Sequence, residues 1–283
     1  MKRGFFALCV ILLLGCGGEE PEADGVIPVL LGVGGEPSWS SKNVIAVGFG
    51  PYIYYCDPYG KNKGDIKPEP KMEVYDLDWS PDGETIIYEG YEWTENKTKL
   101  YKVEFLGGRT SLFLDQHAGD PAWSPDGKYI AYTKFVTHAE IICIVPAAGG
   151  ETIELVSPGD VSDPDWSPDS ENVFYTKRLP GRRFEIWAVN IKDKKKKKFV
   201  TEGMDPAWHP FGERLAFVKE VGEGYDIYLM DPATGRDTKF VGTPRGESKW
   251  WAQEPTWSPK GDWIGFHGSR EYFGVYKKQF SPK

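Results

Sequence analysis

Six carboxylic acids stand three residues before six tryptophans. They are Glu36, Asp76, Asp120, Asp163, Asp205 and Glu254, ahead of Trp39, Trp79, Trp123, Trp166, Trp208 and Trp257. Carboxylates gathered at one mouth attract a cation or a basic peptide segment, and a pair of them can serve as general acid and base. The alternative is that each acid caps backbone N–H groups at a turn that recurs with the tryptophan. Repetition in every copy favours capping, because a ligand site usually breaks symmetry.

Other chemistry is thinly supplied. The chain has no G-x-S-x-G elbow, no H-E-x-x-H and no Cys/His cluster at zinc spacing. Its four histidines, His117, His138, His209 and His267, fall in different parts of the sequence. No catalytic residue, cofactor or metal is expected on these grounds. The residues that do break the repetition are aromatic and basic: Trp93, Arg182, Arg183, Trp250, Trp251 and Arg270. Exposed aromatics beside arginine are what protein-binding surfaces use. Trp250 and Trp251 have a second reading, as a lid or an extension of the core.

Positioning such residues is the work of a recurring cassette. Residues 120–134, DPAWSPDGKYIAYTK, hold a tryptophan, a Ser-Pro-Asp-Gly turn and a β-branched, aromatic strand. The cassette occurs six times, with Trp-to-Trp spacings of 40, 44, 43, 42 and 49 residues. Copies one and five are degenerate, with Ser41-Lys42-Asn43 and Phe211 replacing parts of the turn. A period near 40–45 residues with four strands per unit is the β-propeller pattern. No long helical periodicity follows residue 20. The predicted fold is therefore all-β, a six-bladed β-propeller of four-stranded blades over residues 26–283. Each acid then opens the innermost strand of its blade, so the six form a collar at one mouth of a central channel.

The W-S-P-D-G turn, the strand after it and the following I-Y-x-x-(D/P)-x-x-G-G pattern resemble the TolB-type (WD40-like) propeller repeat. The resemblance covers essentially residues 26–283. It implies an envelope protein engaged in assembly or integrity. TolB carries an additional N-terminal α/β domain, for which the stretch between Cys16 and the first strand leaves no room.

The last repeat supplies only three strands, after Trp257, at 262–267 and at 273–278. Residues 26–31 precede Trp39 at the distance that 111–115 precede Trp123, with Gly35/Gly119 and Pro37/Pro121 in register. The N-terminal strand should thus complete the last blade and close the ring, which removes exposed sheet edges. Cys56 and Cys143 fall on strands of non-adjacent blades, beyond the roughly 7 Å that a disulfide spans, and are expected free and buried.

Residues 1–15 read as a signal peptide: Lys2 and Arg3 precede a ten-residue apolar run, too short to span a bilayer. Leu13-Leu14-Gly15-Cys16 resembles the bacterial lipoprotein box, which implies lipidation of Cys16; the alternative is an ordinary secretory signal with an incidental cysteine. Residues 16–25 would form an acidic tether. The whole chain carries a net charge of −8, against nucleic-acid binding, which needs a basic face. The lysine run 194–198 reads as a solvated hairpin tip. The expected function is a lipid-anchored, non-catalytic module of the bacterial envelope, facing the periplasm or the cell surface, that binds an envelope protein or peptide and meets the membrane only through its anchor. The alternative is a secreted carbohydrate-active or other propeller enzyme, a hydrolase or lyase, using acids at the channel mouth.

Overall fold

The computed structural model describes residues 26–31, 35–242, 251–269 and 273–281. No helix occurs among them; the chain is built of antiparallel sheets. After β1 (Val26–Leu31), the first repeat forms β2 (Pro37–Trp39), β3 (Ile45–Phe49), β4 (Tyr52–Cys56) and β5 (Gly64–Ile66). The second forms β6 (Glu73–Trp79), β7 (Thr85–Glu92), β8 (Lys97–Glu104) and β9 (Thr110–Leu114), and the third β10 (Ala118–Trp123), β11 (Tyr129–Val136), β12 (Ala139–Pro146) and β13 (Ile153–Glu154). The fourth has β14 (Val161–Trp166), β15 (Asn172–Leu179), β16 (Arg183–Asn190) and β17 (Lys197–Glu202), and the fifth β18 (Met204–Trp208), β19 (Leu215–Val221), β20 (Gly224–Met230) and β21 (Asp237–Val241). The last comprises β22 (Trp251–Trp257), β23 (Trp263–Ser269) and β24 (Phe273–Gln279).

Repeats one to four are separate four-stranded sheets in sequence order. The rest is an eight-stranded sheet, two four-stranded sets joined by one parallel bridge, Tyr225↔Trp251. In it β1 lies antiparallel on β24, from Val26↔Lys278 to Leu31↔Gly274. The strand that the sequence assigned to the last repeat is paired there.

The cassette's composition explains its turn. Gly83 and Gly127 donate N–H to the carbonyls of Ser80 and Ser124 at 2.8 Å, with φ of 67° and 74°, where glycine is unstrained. The serine hydroxyl does two things. Ser80, Ser124 and Ser167 donate to Asp82, Asp126 and Asp169 at 2.6, 2.8 and 2.5 Å, and accept the N–H that starts the next strand. Where His209 replaces serine, its Nδ1 accepts the Phe211 N–H at 3.1 Å, and its ring sits edge-on to Trp257 at 4.7 Å.

Apolar layers between neighbouring sheets form the core, such as Ala46, Ile53, Trp79, Ile86 and Val103 between repeats one and two. A polar pattern of period two runs beside them. Trp79, Trp166 and Trp257 donate their indole N–H to the carbonyls of Ser38, Ala122 and Ala207 in the preceding repeat, at 3.2, 3.0 and 3.0 Å. Trp123, Trp208 and Trp39 instead donate their backbone N–H to the side chains of Asp78, Asp165 and Thr256, at 2.7, 2.8 and 3.2 Å. All six acceptors stand one residue before a cassette tryptophan. The Trp39–Thr256 bond joins the first repeat to the last. Cys56 and Cys143 are free and buried.

Candidate functional site

All six sequence-predicted acids line one cavity of about 420 Å³, together with the residues that follow them through the tryptophan to the turn. The cavity thus follows the first strand of each repeat from its acid into the turn after the tryptophan. At Asp120, Asp163, Asp205 and Glu254 the backbone is left-handed, with φ of 49°, 50°, 50° and 55°. Each lies inside a register shift of its strand pair, as between Gly119 and Ala122 or between Ser162 and Asp165. A non-glycine residue in this region costs roughly 1–3 kcal/mol and survives only where its surroundings impose it.

Part of that imposition is hydrogen bonding between repeats. Asp163 N–H donates to Asp120 Oδ2 at 3.5 Å, Glu254 N–H donates to the Asp205 carboxylate, and Asp205 N–H donates to Thr176 Oγ1 at 3.0 Å. Asp120 and Asp205 therefore cap backbone, and the N–H groups they serve belong to the next repeat rather than to a local turn. They also remain close enough to repel. Burial, then the charges of Asp76, Glu254, Asp163 and Asp120, hold the Glu36 carboxyl well above the usual range. Burial, then Asp163 and Glu254, do the same to Asp205. Five of the six acids act on Glu36 or are Glu36 itself, as a collar requires.

The asymmetric residues divide. Cys16, Trp250 and Arg270 lie outside the described residues. Trp251 is half-buried, its ring edge-on to His267 at 5.0 Å, and His267 Nδ1 is 3.3 Å from Glu254 Oε2. This chain ties one predicted binding aromatic to the collar. Trp93 is 57% exposed; it packs edge-on against Tyr91 at 4.9 Å, and Tyr91 lies 6.5 Å from Tyr75, next to Asp76. Arg182 and Arg183 are exposed. Arg182 shares a second cavity, of about 640 Å³, with Asp160, Arg178, Phe184 and Tyr225, and Arg183 is not among its lining residues. The lysine run 194–198 is exposed where β16 turns into β17.

Sequence reasoning missed the residues behind the collar. Asp78 accepts the Ser38 hydroxyl at 2.7 Å as well as the Trp123 N–H. Burial raises its carboxyl to about 6 and that of Asp165 to about 7, against hydrogen bonds that pull both down. The signal was present as an acid directly before a buried tryptophan in repeats two and four, where other repeats have Ser38, Ala122, Ala207 and Thr256.

This arrangement, strands lining an axial cavity within radially packed four-stranded sheets, defines a β-propeller protein. The solved structures it is similar to have the same fold. Putative TolB from Agrobacterium tumefaciens aligns with a TM-score of 0.68 at 20% identity, covering 90% of this chain and 91% of that one. TolB from Acinetobacter baumannii aligns with a TM-score of 0.64 at 17% identity, over 91% of this chain and 64% of that one. A gluconolactonase from Xanthomonas campestris aligns with a TM-score of 0.68 at 10% identity, over 90% and 89%. No curated protein matches the sequence. Residues 41–200, more than half of the chain, match the family model described as "Eukaryotic translation initiation factor eIF2A", and the chain belongs to that family.

Proposed function

We propose that this chain is a six-bladed, ring-closed propeller that binds a basic protein or peptide segment at its acidic mouth without catalysing a reaction. It would be exported by residues 1–15, lipid-anchored at Cys16 in a bacterial envelope and spaced from the membrane by residues 16–25. Six cassettes support the blade count. The β1–β24 pairing and the Trp39–Thr256 bond support closure. The observation that carries the binding role is the convergence of six carboxylates on one cavity, with Trp251 reaching the collar through His267. Such a mouth focuses negative potential and raises the local concentration of cationic ligands. TolB resemblance supports the envelope setting. The translation role in the family's description is not carried over, because a net charge of −8 disfavours association with nucleic-acid phosphates.

Fluorescence polarisation with matched lysine/arginine and aspartate/glutamate peptides tests the reading. Basic peptides bind, salt weakens them, and Glu36→Gln with Asp205→Asn lowers their affinity at least about tenfold. Pull-down from envelope extracts with wild type and Trp251→Ala tests the same face on natural partners. Binding indifferent to peptide charge and to the collar variants would sink the proposal.

A second reading rests on Glu36 and Asp205, which keep their protons to higher pH than exposed carboxyls do. A protonated carboxyl beside ionised ones is the arrangement of general acid–base catalysis, and a gluconolactonase shares the fold. Turnover of a polysaccharide, lactone or peptide panel that disappears with Asp205→Asn would favour that enzyme.

A further inference from the structure

The collar acids are close to equivalent, but the residue ten positions after each cassette tryptophan is not. It is Glu89, Thr133, Thr176, Val218 and His267 in repeats two to six, and Gly48 holds the matching register in the first. In repeats two and four this position meets the collar acid of the following repeat. Thr176 shows what that contact requires: its hydroxyl accepts the Asp205 N–H at 3.0 Å. Glu89 Oε2 does the same for the Asp120 N–H, at 3.3 Å. A neutral oxygen suffices for that bond, so the charge of Glu89 needs another explanation.

Glu89 is 1% exposed, and Gly119 leaves it room, since a Cβ there would collide with the Glu89 carboxylate. Asp76, Glu89 and Asp120 each offer a carboxylate oxygen, and the three oxygens lie within 4.8 Å of one another. Asp120 is itself only 7% exposed. Its Oδ1 is buried and has no hydrogen-bond partner among the described residues. Three carboxylates this close in a low-dielectric interior repel strongly unless a cation joins them or protons neutralise them.

We propose that Asp76, Glu89 and Asp120 form a site for a hard divalent cation of the Ca²⁺ class, between the second and third sheets. An all-carboxylate donor set selects hard cations over zinc or copper. Ca²⁺ binds oxygen at about 2.3–2.6 Å, so ligands of one ion stand up to about 5 Å apart, a span these oxygens satisfy. The site lies to one side of the collar and exists in a single repeat, since the other five place no acid at the Glu89 position. It does not depend on the peptide-binding reading.

The test titrates EDTA-stripped full-length protein with CaCl₂ by calorimetry and follows its unfolding midpoint in parallel. One ion binds per chain, and saturation raises the midpoint by several degrees. Glu89→Thr, which installs the residue found at 133 and 176, keeps the calcium-free circular dichroism spectrum and abolishes both heat and shift. Asp120→Asn weakens Ca²⁺ at least about tenfold. No heat and no shift in the wild type up to about 10 mM, weaker than ordinary extracellular sites, overturns the proposal. Ca²⁺ binding that survives Glu89→Thr unchanged overturns it too, because the ion would then sit elsewhere on the collar.

Discussion

Asp165 shows how much a single residue behind the collar decides. Its carboxylate accepts the Trp208 N–H at 2.8 Å and so ties the fourth repeat to the fifth. Burial lifts its carboxyl to about 7, opposed by the N–H groups of Trp208 and Trp166. In the unfolded chain an aspartate titrates near about 3.9. The folded chain therefore holds this proton more tightly, and its contribution to stability is full below about pH 4 and lost as pH rises through 7. The unfolding midpoint should fall from about pH 4 to pH 7 and level off by about pH 8, and the fall should be shallower in Asp165→Asn, which keeps an acceptor for Trp208. Equal slopes in a fluorimetric pH series would exclude Asp165 as the group responsible. Asp165→Ala removes the acceptor altogether and should cost about 1–3 kcal/mol in denaturant unfolding.

At the scale of elements, the sequence was most legible where chemistry and geometry repeat together. Val26–Leu31 was assigned as a strand by its distance to Trp39, and β1 has those limits. The outer strand of the third repeat is short: β13 holds Ile153–Glu154 alone. Leu155 and Val156 both donate N–H to the Ile142 carbonyl, so the strand peels away there, and pairing resumes as the isolated bridge Glu140↔Gly159. The collar acids were legible because they recur at a fixed offset. Asp78, Asp165 and Glu89 were not, because each depends on which residue the neighbouring repeat presents to it. The β1 junction makes a prediction of its own. Val29 and Leu30 are 1% and 3% exposed and pack with Trp39, Ile45, Cys56 and Val275, joining the first repeat to the last. Leu30→Ala should cost about 2–5 kcal/mol, as expected for a buried leucine. Deleting residues 26–31 uncovers the β24 edge and should produce aggregation at concentrations where the full chain stays monodisperse in light scattering.

For the whole molecule, the collar sets stability against binding. The net charge is −8, and the acids concentrate on one cavity, where burial and mutual repulsion hold Glu36 and Asp205 above their ordinary range. A fold selected for stability alone would place amides there, since groups kept strained or repelling are retained for what they bind. Glu36→Gln and Asp205→Asn together should therefore raise the unfolding midpoint by several degrees at pH 8, where the carboxyls are most ionised, and by less at pH 5. The same double variant should lose affinity for basic peptides. Added NaCl should raise the wild-type midpoint by screening the collar and should move the double variant less. Scanning calorimetry at two pH values and two salt concentrations checks all three shifts. A double variant no more stable than wild type at pH 8 would mean that the hydrogen bonds between repeats outweigh the repulsion, leaving the acids as structural caps.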